Sequence, residues 1–322
     1  MLRTRLCEIL RIEVPIIQAG MGPWSPPELA AAASNAGALG SLGGAMVPAE
    51  RLKDQIERLR SMTERPFAVN FTSTGILEGA LEVALEAHPP VISLALGDAG
   101  DMVKRAHDVG SLFVQQIHTV SQAQRAAENK VDVIIAQGTE AGGFGQWVST
   151  MALVPQVVDA VTPIPVVAAG GIGNGRGLAA ALVLGAQGVN MGTRFLASLE
   201  ATVPNEWKQA IVSAQSEDAV KVEVWQDIFP KAATEGFGTV PRALRTPFIE
   251  EWQEKREDAK HEAERLQAQV GAAVQQGRMH EAVPFTGQSA GLVREVLPVA
   301  EIVRTLLSEA EQALDSAVGL KA

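Results

Sequence analysis

The sequence predicts an α/β fold in which eight parallel strands close into a barrel. Short apolar runs alternate with helical stretches over the first two-thirds of the chain, which is typical of a parallel sheet. Three consecutive runs, at residues 131–143, 165–172 and 188–195, end in glycine-rich turns, as buried parallel strands do where they open into loops. Eight strands in about 180 residues match a TIM-like (β/α)8 barrel. A doubly wound open sheet is the structural alternative.

The eight predicted strands share a short apolar run bounded by turn residues, and the predicted helices lie between them. The strands are Pro15–Gln18, Leu39–Leu42, Phe67–Asn70, Val91–Leu94, Leu112–Gln115, Val133–Ala136, Pro165–Ala168 and Val189–Met191, and the helices include Pro27–Ala36, Pro48–Met62, Thr119–Asn129 and Arg176–Leu184.

The alternation stops after Leu196, and residues 204–283 carry a long charged segment instead. We therefore predict a barrel built from residues 1–203 and 284–322, with residues 204–283 as an inserted helical subdomain. Within the insertion, Glu250–Arg265 has apolar residues at helical spacing and predicts one exposed amphipathic helix. A closing helix at Leu292–Ala317 should pack back on the barrel.

Composition restricts the classes of function. The chain has 322 residues, 47% of them hydrophobic, so it can bury a large core. Its formal net charge of −10 disfavours binding to nucleic acid or to an anionic membrane. The single cysteine, Cys7, excludes an internal disulfide, and no His, Asp or Glu cluster has metal-ligand spacing. We expect a cytoplasmic protein that needs no metal.

Glycines at two neighbouring strand ends predict a phosphate site. Gly170 and Gly171 separate a strand from the helix that begins near Arg176, and Gly192 and Thr193 follow the next strand. Bare backbone N–H groups and a helix N-terminus can both bind a phosphate. The alternative is that these glycines only form tight turns.

Neutral amides at other strand ends predict a polar, uncharged collar around a pocket. Gln18, Asn70, Gln116 and Gln137 end or follow four of the strands. Such amides can bond the edge of a heteroaromatic ring without adding charge. Individually, each is also an ordinary hydrogen-bonding residue at the end of a strand.

These motifs resemble those of the nitronate monooxygenase family and of the related flavin-dependent enoyl-ACP reductases. The similar segments, in the family's order, are Pro15–Met21, Phe67–Asn70, Ala136–Gly143, Ala168–Ile172, Gly192–Phe195 and Gly287–Gly291. The resemblance implies a TIM-like barrel that holds FMN without a covalent link. It places the FMN phosphate on Gly170, Gly171, Gly192 and Thr193. The remaining cofactor-binding residues that it implies are Gln18, Met21, Gly22, Asn70, Gln116, Gln137, Gly142 and Gly143, with Gln288 closing the pocket.

One position departs from the family pattern. The family usually carries a histidine directly after the Glu-Ala-Gly-Gly segment, whereas this chain has Phe144. Phenylalanine cannot take a proton, so deprotonation of a neutral nitroalkane should fail or be very slow. Phe144 and Trp147 could instead line an apolar substrate pocket, or Phe144 could simply pack under the insertion. His118 could replace the missing base, or it could begin the next helix.

The leading hypothesis is an FMN-dependent oxidoreductase that oxidises alkyl nitronates with O2 to a carbonyl compound and nitrite. The alternative is an NAD(P)H-dependent flavin reductase of a quinone or an enoyl thioester. Hypotheses from other classes are a non-redox barrel that binds a sugar phosphate and a catalytically silent flavoprotein. The partners expected are a small-molecule substrate and either O2 or an organic electron acceptor, and a homodimer is compatible with the sequence.

Overall fold

The structure, a computed structural model, describes residues 2–230 and 238–321. The ends of the predicted barrel, residues 1 and 322, and part of the predicted insertion, residues 231–237, lie outside the described residues. Within the described residues, no helix combines the length and the apolar composition needed to cross a membrane.

Eight parallel strands form one sheet, and all eight predicted strands are present with ends shifted by one or two residues. In chain order they are β1 (Ile16–Gln18), β2 (Gly40–Gly43), β3 (Phe67–Thr72), β4 (Val91–Ala95), β5 (Leu112–Ile117), β6 (Val133–Gln137), β8 (Val166–Ala169) and β9 (Gly188–Met191). The strand β7 (Gly143–Gly145) belongs to a second sheet.

The barrel is closed between its first and second strands. The sheet order is β1-β9-β8-β6-β5-β4-β3-β2. The two ends of that order meet where Leu39 N donates to Ile16 O at 2.9 Å and Gln18 N donates to Leu39 O at 2.9 Å. The TIM-like barrel is confirmed, and the open-sheet alternative is excluded.

Helices cover the outside of the barrel and make up most of the segment that follows it. The α-helices are Arg5–Leu10, Pro27–Asn35, Ala49–Met62, Ala80–Glu86, Met102–Asp108, Val120–Glu128, Thr150–Val161, Gly175–Val183, Thr193–Leu196, Asn205–Ser213, Val224–Ile228, Pro247–Glu254, Arg256–His261, Ala263–Gln275, Met279–Ala282 and Val299–Val318. Short 3-10 helices lie at Gly22–Trp24, Ser73–Gly75, Ser216–Asp218, Gln288–Leu292 and Gly319–Lys321.

Apolar side chains pack in two separate layers, one inside the barrel and one between the strands and the outer helices. The inner layer explains why the cavity opens at one end of the barrel. Along β4, Val91 points into the barrel and Ile92 points out to the helices, as alternation along a strand requires. The inner layer continues into Leu6, Cys7 and Leu10 of the first helix, which fill the barrel at the amino ends of the strands. The carboxyl ends therefore remain as the face where a ligand can enter.

The inserted segment is not helical throughout. Two of its strands, β10 (Ala219–Lys221) and β11 (Val240–Leu244), pair in antiparallel fashion, and β11 also pairs with β7 from the barrel. The sequence offered no signal for β7, because its three residues are Gly-Phe-Gly and glycine has low strand propensity. This small sheet attaches the insertion directly to the loop after β6.

The prediction of one helix over Glu250–Arg265 is wrong. The chain forms Pro247–Glu254, Arg256–His261 and Ala263–Gln275, with non-helical backbone at Lys255 and Glu262. At the first break, Arg256 bonds Asp227 at 2.5 Å and Glu223 at 3.1 Å. These bonds hold the chain against the helix Val224–Ile228, so tertiary contacts override the local helical pattern.

The closing helix begins at Val299, after Pro298, and packs on the helix Gly175–Val183. Its Glu309 carboxylate accepts a hydrogen bond from Gly175 N at 2.8 Å, at the start of that second helix. A side chain at Gly175 would collide with the backbone of Leu306, so only glycine allows this approach. The predicted start at Leu292 is wrong because residues 288–292 form a 3-10 turn.

Replacing Glu309 with alanine should lower the free energy of unfolding by about 1–2 kcal/mol, because it removes a charge-assisted bond at a helix N-terminus. Urea unfolding of Glu309→Ala, with Gln312→Ala from the same helix as the exposed control, measures the effect. Equal stability of the two variants would mean that the contact adds nothing to the packing of the two helices.

Candidate active site

A cavity of about 570 Å³ lies at the carboxyl ends of the barrel strands. Its wall combines barrel residues with residues of the insertion, such as Trp225 and Thr239, and of the C-terminal segment, such as Phe285 and Ser289. The volume falls within the roughly 300–1,000 Å³ of small-molecule sites. The site is therefore built from three parts of the chain that are far apart in sequence.

The part of the cavity wall that the structure describes carries no formal charge. Among the described residues that line it, there is no Asp, Glu, His, Lys or Arg. The polar side chains in the wall are amides and hydroxyls: Ser41, Asn70, Thr72, Thr74, Ser93, Gln116, Gln137, Asn190, Thr193, Thr239 and Ser289. Consequently no side chain in this wall can act as a general base at neutral pH.

The turns after β8 and β9 form a cradle of free N–H groups. In the part of the chain that the structure describes, no hydrogen bond uses the backbone N–H of Gly170, Gly171, Gly192 or Thr193. Gly170 and Gly171 have φ values of 96° and 73°, which glycine adopts without strain. Consecutive free amides of this kind suit an anionic ligand, because each would otherwise remain unpaired.

The helix Gly175–Val183 follows this cradle, but two of its first N–H groups are already bonded within the protein. The Asn174 side chain accepts a bond from Gly177 N at 3.2 Å, and Glu309 accepts from Gly175 N at 2.8 Å. The side chains of Asn174 and Glu309 therefore occupy these two N–H groups at the N-terminus of the helix. Binding of an anion would therefore depend on the loop amides rather than on the helix dipole.

The C-terminal segment closes over the glycine-rich turn after β6. Gly142 packs so closely that a Cβ there would lie 2.5 Å from Gly287 N, and Gln288 N donates to Glu140 O at 2.9 Å. The Glu140 carboxylate braces the turn by accepting bonds from Thr150 N and Oγ1, both at 2.9 Å. Gln288 closes the site through its backbone, while its side chain does not line the cavity.

Three of the predicted amides line the cavity, and the fourth does not. Asn70 Nδ2 donates to Ser93 Oγ at 2.8 Å, Gln137 Nε2 donates to Phe144 O at 2.8 Å, and Gln116 also faces the cavity. Gln18 is fully buried outside it, where Oε1 accepts from Ser41 N at 2.9 Å and Nε2 donates to Ser25 Oγ at 2.7 Å.

The structure places Gln18 as a brace between β1 and β2 instead of at the pocket. The other predicted cofactor-binding residues that line the cavity are Met21, Gly22, Gly142, Gly143, Gly170, Gly192 and Thr193, and Gly171 lies directly beside them.

Aromatic side chains form the roof of the cavity under the insertion. The Phe144 ring centroid lies 5.8 Å from that of Trp225 and 5.4 Å from that of Phe285, and Trp225 stacks on Phe229 at 4.3 Å. Phe144 thus lines the cavity and packs under the insertion at once. Trp147 lies outside the cavity, with 59% of its surface exposed.

Sequence reasoning missed three wall residues whose buried polar atoms lack a partner within the described chain: Asn190 Oδ1, Trp225 Nε1 and Thr239 Oγ1. Unpaired buried atoms of this kind call for an external partner. An asparagine inside the apolar run Val189–Met191 was a readable signal for the first. The other two carry no readable signal, because nothing in the insertion's sequence shows which residues face the barrel.

His118 is buried behind the cavity and does not line it. Its Nδ1 donates to Gln137 O at 3.4 Å, and Nε2 has no partner within the described residues. The pKa of His118 is lowered to about 4, mainly by burial and also by the nearby Lys221, and the bond to Gln137 O opposes the shift. His118 is therefore neutral at physiological pH, and its position does not suit a base for a ligand in the cavity.

Comparison with known proteins shows which family the chain belongs to. The family model described as nitronate monooxygenase matches residues 3–75 and 71–309. The chain belongs to the nitronate monooxygenase family. A "Probable nitronate monooxygenase" of Staphylococcus saprophyticus is 34% identical over 273 residues, which cover 69% of this chain and 76% of that protein.

Other relatives carry dehydrogenase names. The "(3aS,4S,5R,7aS)-5-hydroxy-7a-methyl-1-oxo-octahydro-1H-indene-4-carboxyl-CoA dehydrogenase" of Mycobacterium tuberculosis is 37% identical over 252 residues, covering 77% of this chain and 68% of that protein. The protein of the same name from Rhodococcus jostii is 38% identical, and the match spans 62% of its length. Since all these relatives are named as oxidoreductases, the chain is an oxidoreductase.

Two solved structures share the whole fold. FabK from Thermotoga maritima superimposes with a TM-score of 0.90 at 35% identity, covering 99% of this chain and 100% of that one. A nitroalkane oxidase from Streptomyces ansochromogenes gives a TM-score of 0.82 at 28% identity, covering 97% and 99%. The barrel and the elements around it are therefore common to the family.

The buried His118 should make the protein's stability depend on acid pH. Its folded-state pKa of about 4 lies below the usual 6.5, so between these values the unfolded chain binds a proton that the folded chain does not. Above pH 6.5 His118 therefore does not reduce the free energy of unfolding. As the pH falls from 6.5 to about 4, the free energy of unfolding decreases by up to about 3 kcal/mol because of this group. Urea unfolding at neutral pH and at about pH 4.5 should show a smaller acid loss for His118→Gln than for wild type; identical losses would contradict this environment.

Proposed function

We propose that the chain is an FMN-dependent oxidoreductase whose cofactor lies at the carboxyl ends of the barrel strands. The observation that carries this proposal is the cradle of four unused N–H groups, which opens into an uncharged cavity of about 570 Å³. A phosphate suits the cradle, and a planar heteroaromatic ring suits a wall of amides and bare glycine backbone. Bound FMN would supply the electron-transfer chemistry that these side chains lack.

The wall residues that would hold the cofactor are already oriented by neighbours. Asn70 is fixed by Ser93, and Gln137 is fixed by the carbonyl of Phe144. Asn190 offers an unpaired carbonyl oxygen as an acceptor. Amides locked in this way can recognise a ring edge with little loss of conformational entropy.

The aromatic roof and the absence of charge favour an apolar, carbonyl-bearing substrate. An anionic nitronate would meet no cation among the described wall residues, whereas an activated alkene would contact Phe144, Trp225 and Phe285. The Trp225 N–H and the Thr239 hydroxyl, which have no partner among the described residues, are donors suited to a carbonyl oxygen. We therefore favour NAD(P)H-dependent reduction of an enoyl thioester or a related conjugated carbonyl compound. The name of the Mycobacterium relative, which specifies a carboxyl-CoA compound, supports a thioester.

Nitronate oxidation is the second candidate, and family membership favours it. Phe144 at the family's histidine position removes a base that a neutral nitroalkane would need. A preformed nitronate needs no such base. This second activity would therefore be limited to nitronates and would release nitrite in the presence of O2.

Anaerobic spectroscopy separates the two candidates. The purified protein should show visible flavin absorbance that NADH or NADPH bleaches and that trans-2-octenoyl-CoA restores, because the uncharged cavity suits the alkene. Bleaching by a propyl-2-nitronate alone, with nitrite released on admitting O2, would replace the reductase assignment with the nitronate one. A yellow protein that reacts with neither would be a silent flavoprotein, and a colourless protein that takes up no FMN would contradict both.

The phosphate cradle can be tested by charge at one position. Gly171→Asp should weaken FMN binding by roughly 100-fold, because it adds a negative charge next to the cradle, on the side of Glu140, that would repel the phosphate. Gly171→Asn is the matched control, since asparagine has nearly the same shape, tolerates the φ of 73° and adds no charge. Flavin content after dialysis measures the effect. Equal retention by the two folded variants would place the phosphate elsewhere.

A further inference from the structure

Lys221, the last residue of β10, is held in an unusual position for a lysine. Its ammonium group donates to three backbone carbonyls: Gly145 O at 2.9 Å, Gln146 O at 3.1 Å and Val240 O at 3.0 Å. An ammonium group has three N–H donors, so all three are used. Two of the acceptors belong to the turn that carries Phe144, and the third belongs to β11.

The sheet contacts of that turn are weak without this lysine. β7 has only three residues, two of them glycine, and Phe144 lies opposite Pro241 of β11. Proline has no N–H to donate across the pair, and glycine loses more backbone entropy than other residues when it is ordered. The lysine therefore adds three charge-assisted bonds where the strand pairing is poorest.

The turn controls the shape of the cavity. The carbonyl of Phe144 accepts from Gln137, and its ring contacts Trp225 and Phe285 in the roof. Lys221 itself does not line the cavity. Its effect on a ligand would therefore pass through the position of Phe144.

We propose that Lys221 is a positioning residue whose ammonium group fixes the turn Gly143–Gln146 and thereby sets the affinity of the cavity for its apolar substrate. The kinetic part of this inference rests on the proposed function, whereas the structural part does not.

The charges around Lys221 make this contact sensitive to alkaline pH. The charged or titratable groups that face it are Arg242 of β11, Glu140 of the turn after β6, and His118. Burial and Arg242 lower the pKa of Lys221 to about 8, and Glu140 opposes the shift. Raising the pH through this value removes the charge and one N–H, which leaves one of the three carbonyls without a donor.

The structural test is hydrogen–deuterium exchange of the peptide covering residues 143–148 at neutral pH. In Lys221→Met the amides of this peptide should exchange about tenfold faster than in wild type, because the turn opens locally more often. Ammonium chloride should slow the exchange again, since the ion can donate to the same carbonyls, whereas tetramethylammonium chloride has no N–H and should not. Lys208→Met is the matched control, because the Lys208 ammonium donates to Leu199 O, at 3.4 Å, and to no carbonyl of this turn among the described residues.

The kinetic test uses NADPH and trans-2-octenoyl-CoA. With FMN added to saturation, Lys221→Met should raise KM by roughly tenfold with a smaller change in kcat, as expected when substrate positioning is lost. Wild type should show the same rise in KM above about pH 8, and the variant should show none.

The outcomes distinguish the two proposals. Faster exchange in Lys221→Met without turnover of any acceptor would leave the positioning role intact and contradict the proposed function. Unchanged exchange and unchanged KM, in a protein that turns over normally, would overturn the positioning role alone. If Lys221→Met does not fold, Lys221→Gln, whose amide keeps two N–H donors, enters the same exchange experiment: exchange at residues 143–148 equal to that of wild type overturns the inference, and faster exchange supports it.

Discussion

The close backbone approach between Gly142 and Gly287 is the constraint on which the rest of the site depends. With the two chains this near, the C-terminal segment lies on the turn after β6, and Gln288 can bond Glu140. Thr193 Oγ1 accepts a bond from Gly287 N at 2.9 Å, so the same contact also ties the end of β9 to this turn. The pair Gly142 and Gly287 thus brings the cradle, the roof and the C-terminal segment together. A larger side chain at either position would push the C-terminal segment away from the turn after β6.

Charge is present around the site but is kept away from the cavity wall. Lys221, Arg242 and Glu140 lie behind the turn, where they bond backbone carbonyls and amides. Among the described residues, the wall presents amides, hydroxyls, aromatic rings and aliphatic side chains, and none of them is charged. Such a cavity can hold an uncharged substrate, because no charged side chain of the described wall competes for its polar groups. The electron-transfer chemistry then has to come from a bound cofactor.

The sequence predicts the barrel well because the relevant signals are local. Each strand of the barrel is a short apolar run that ends in a turn, so the local pattern is enough to predict all eight. The cradle was also readable, since glycines at the ends of neighbouring strands must meet on one face of a barrel.

What sequence could not show depends on contacts between distant segments. β7 has no strand propensity and exists because β11 pairs with it. Gln18 has the residue type expected of a pocket amide, but its partners, Ser25 and Ser41, draw it under the barrel rim. Trp225, Thr239 and Lys221 come from the insertion, whose facing residues no periodicity reveals.

The most direct test of the account is the affinity of the flavin-free protein for FMN compared with riboflavin, measured by isothermal titration calorimetry. The two ligands share the ring and the ribityl chain and differ only in the phosphate. If the free N–H groups after β8 and β9 bind that phosphate, FMN should bind at least about 100-fold more tightly. Equal affinities, or no binding of either ligand, would contradict the assignment of this cavity as an FMN site.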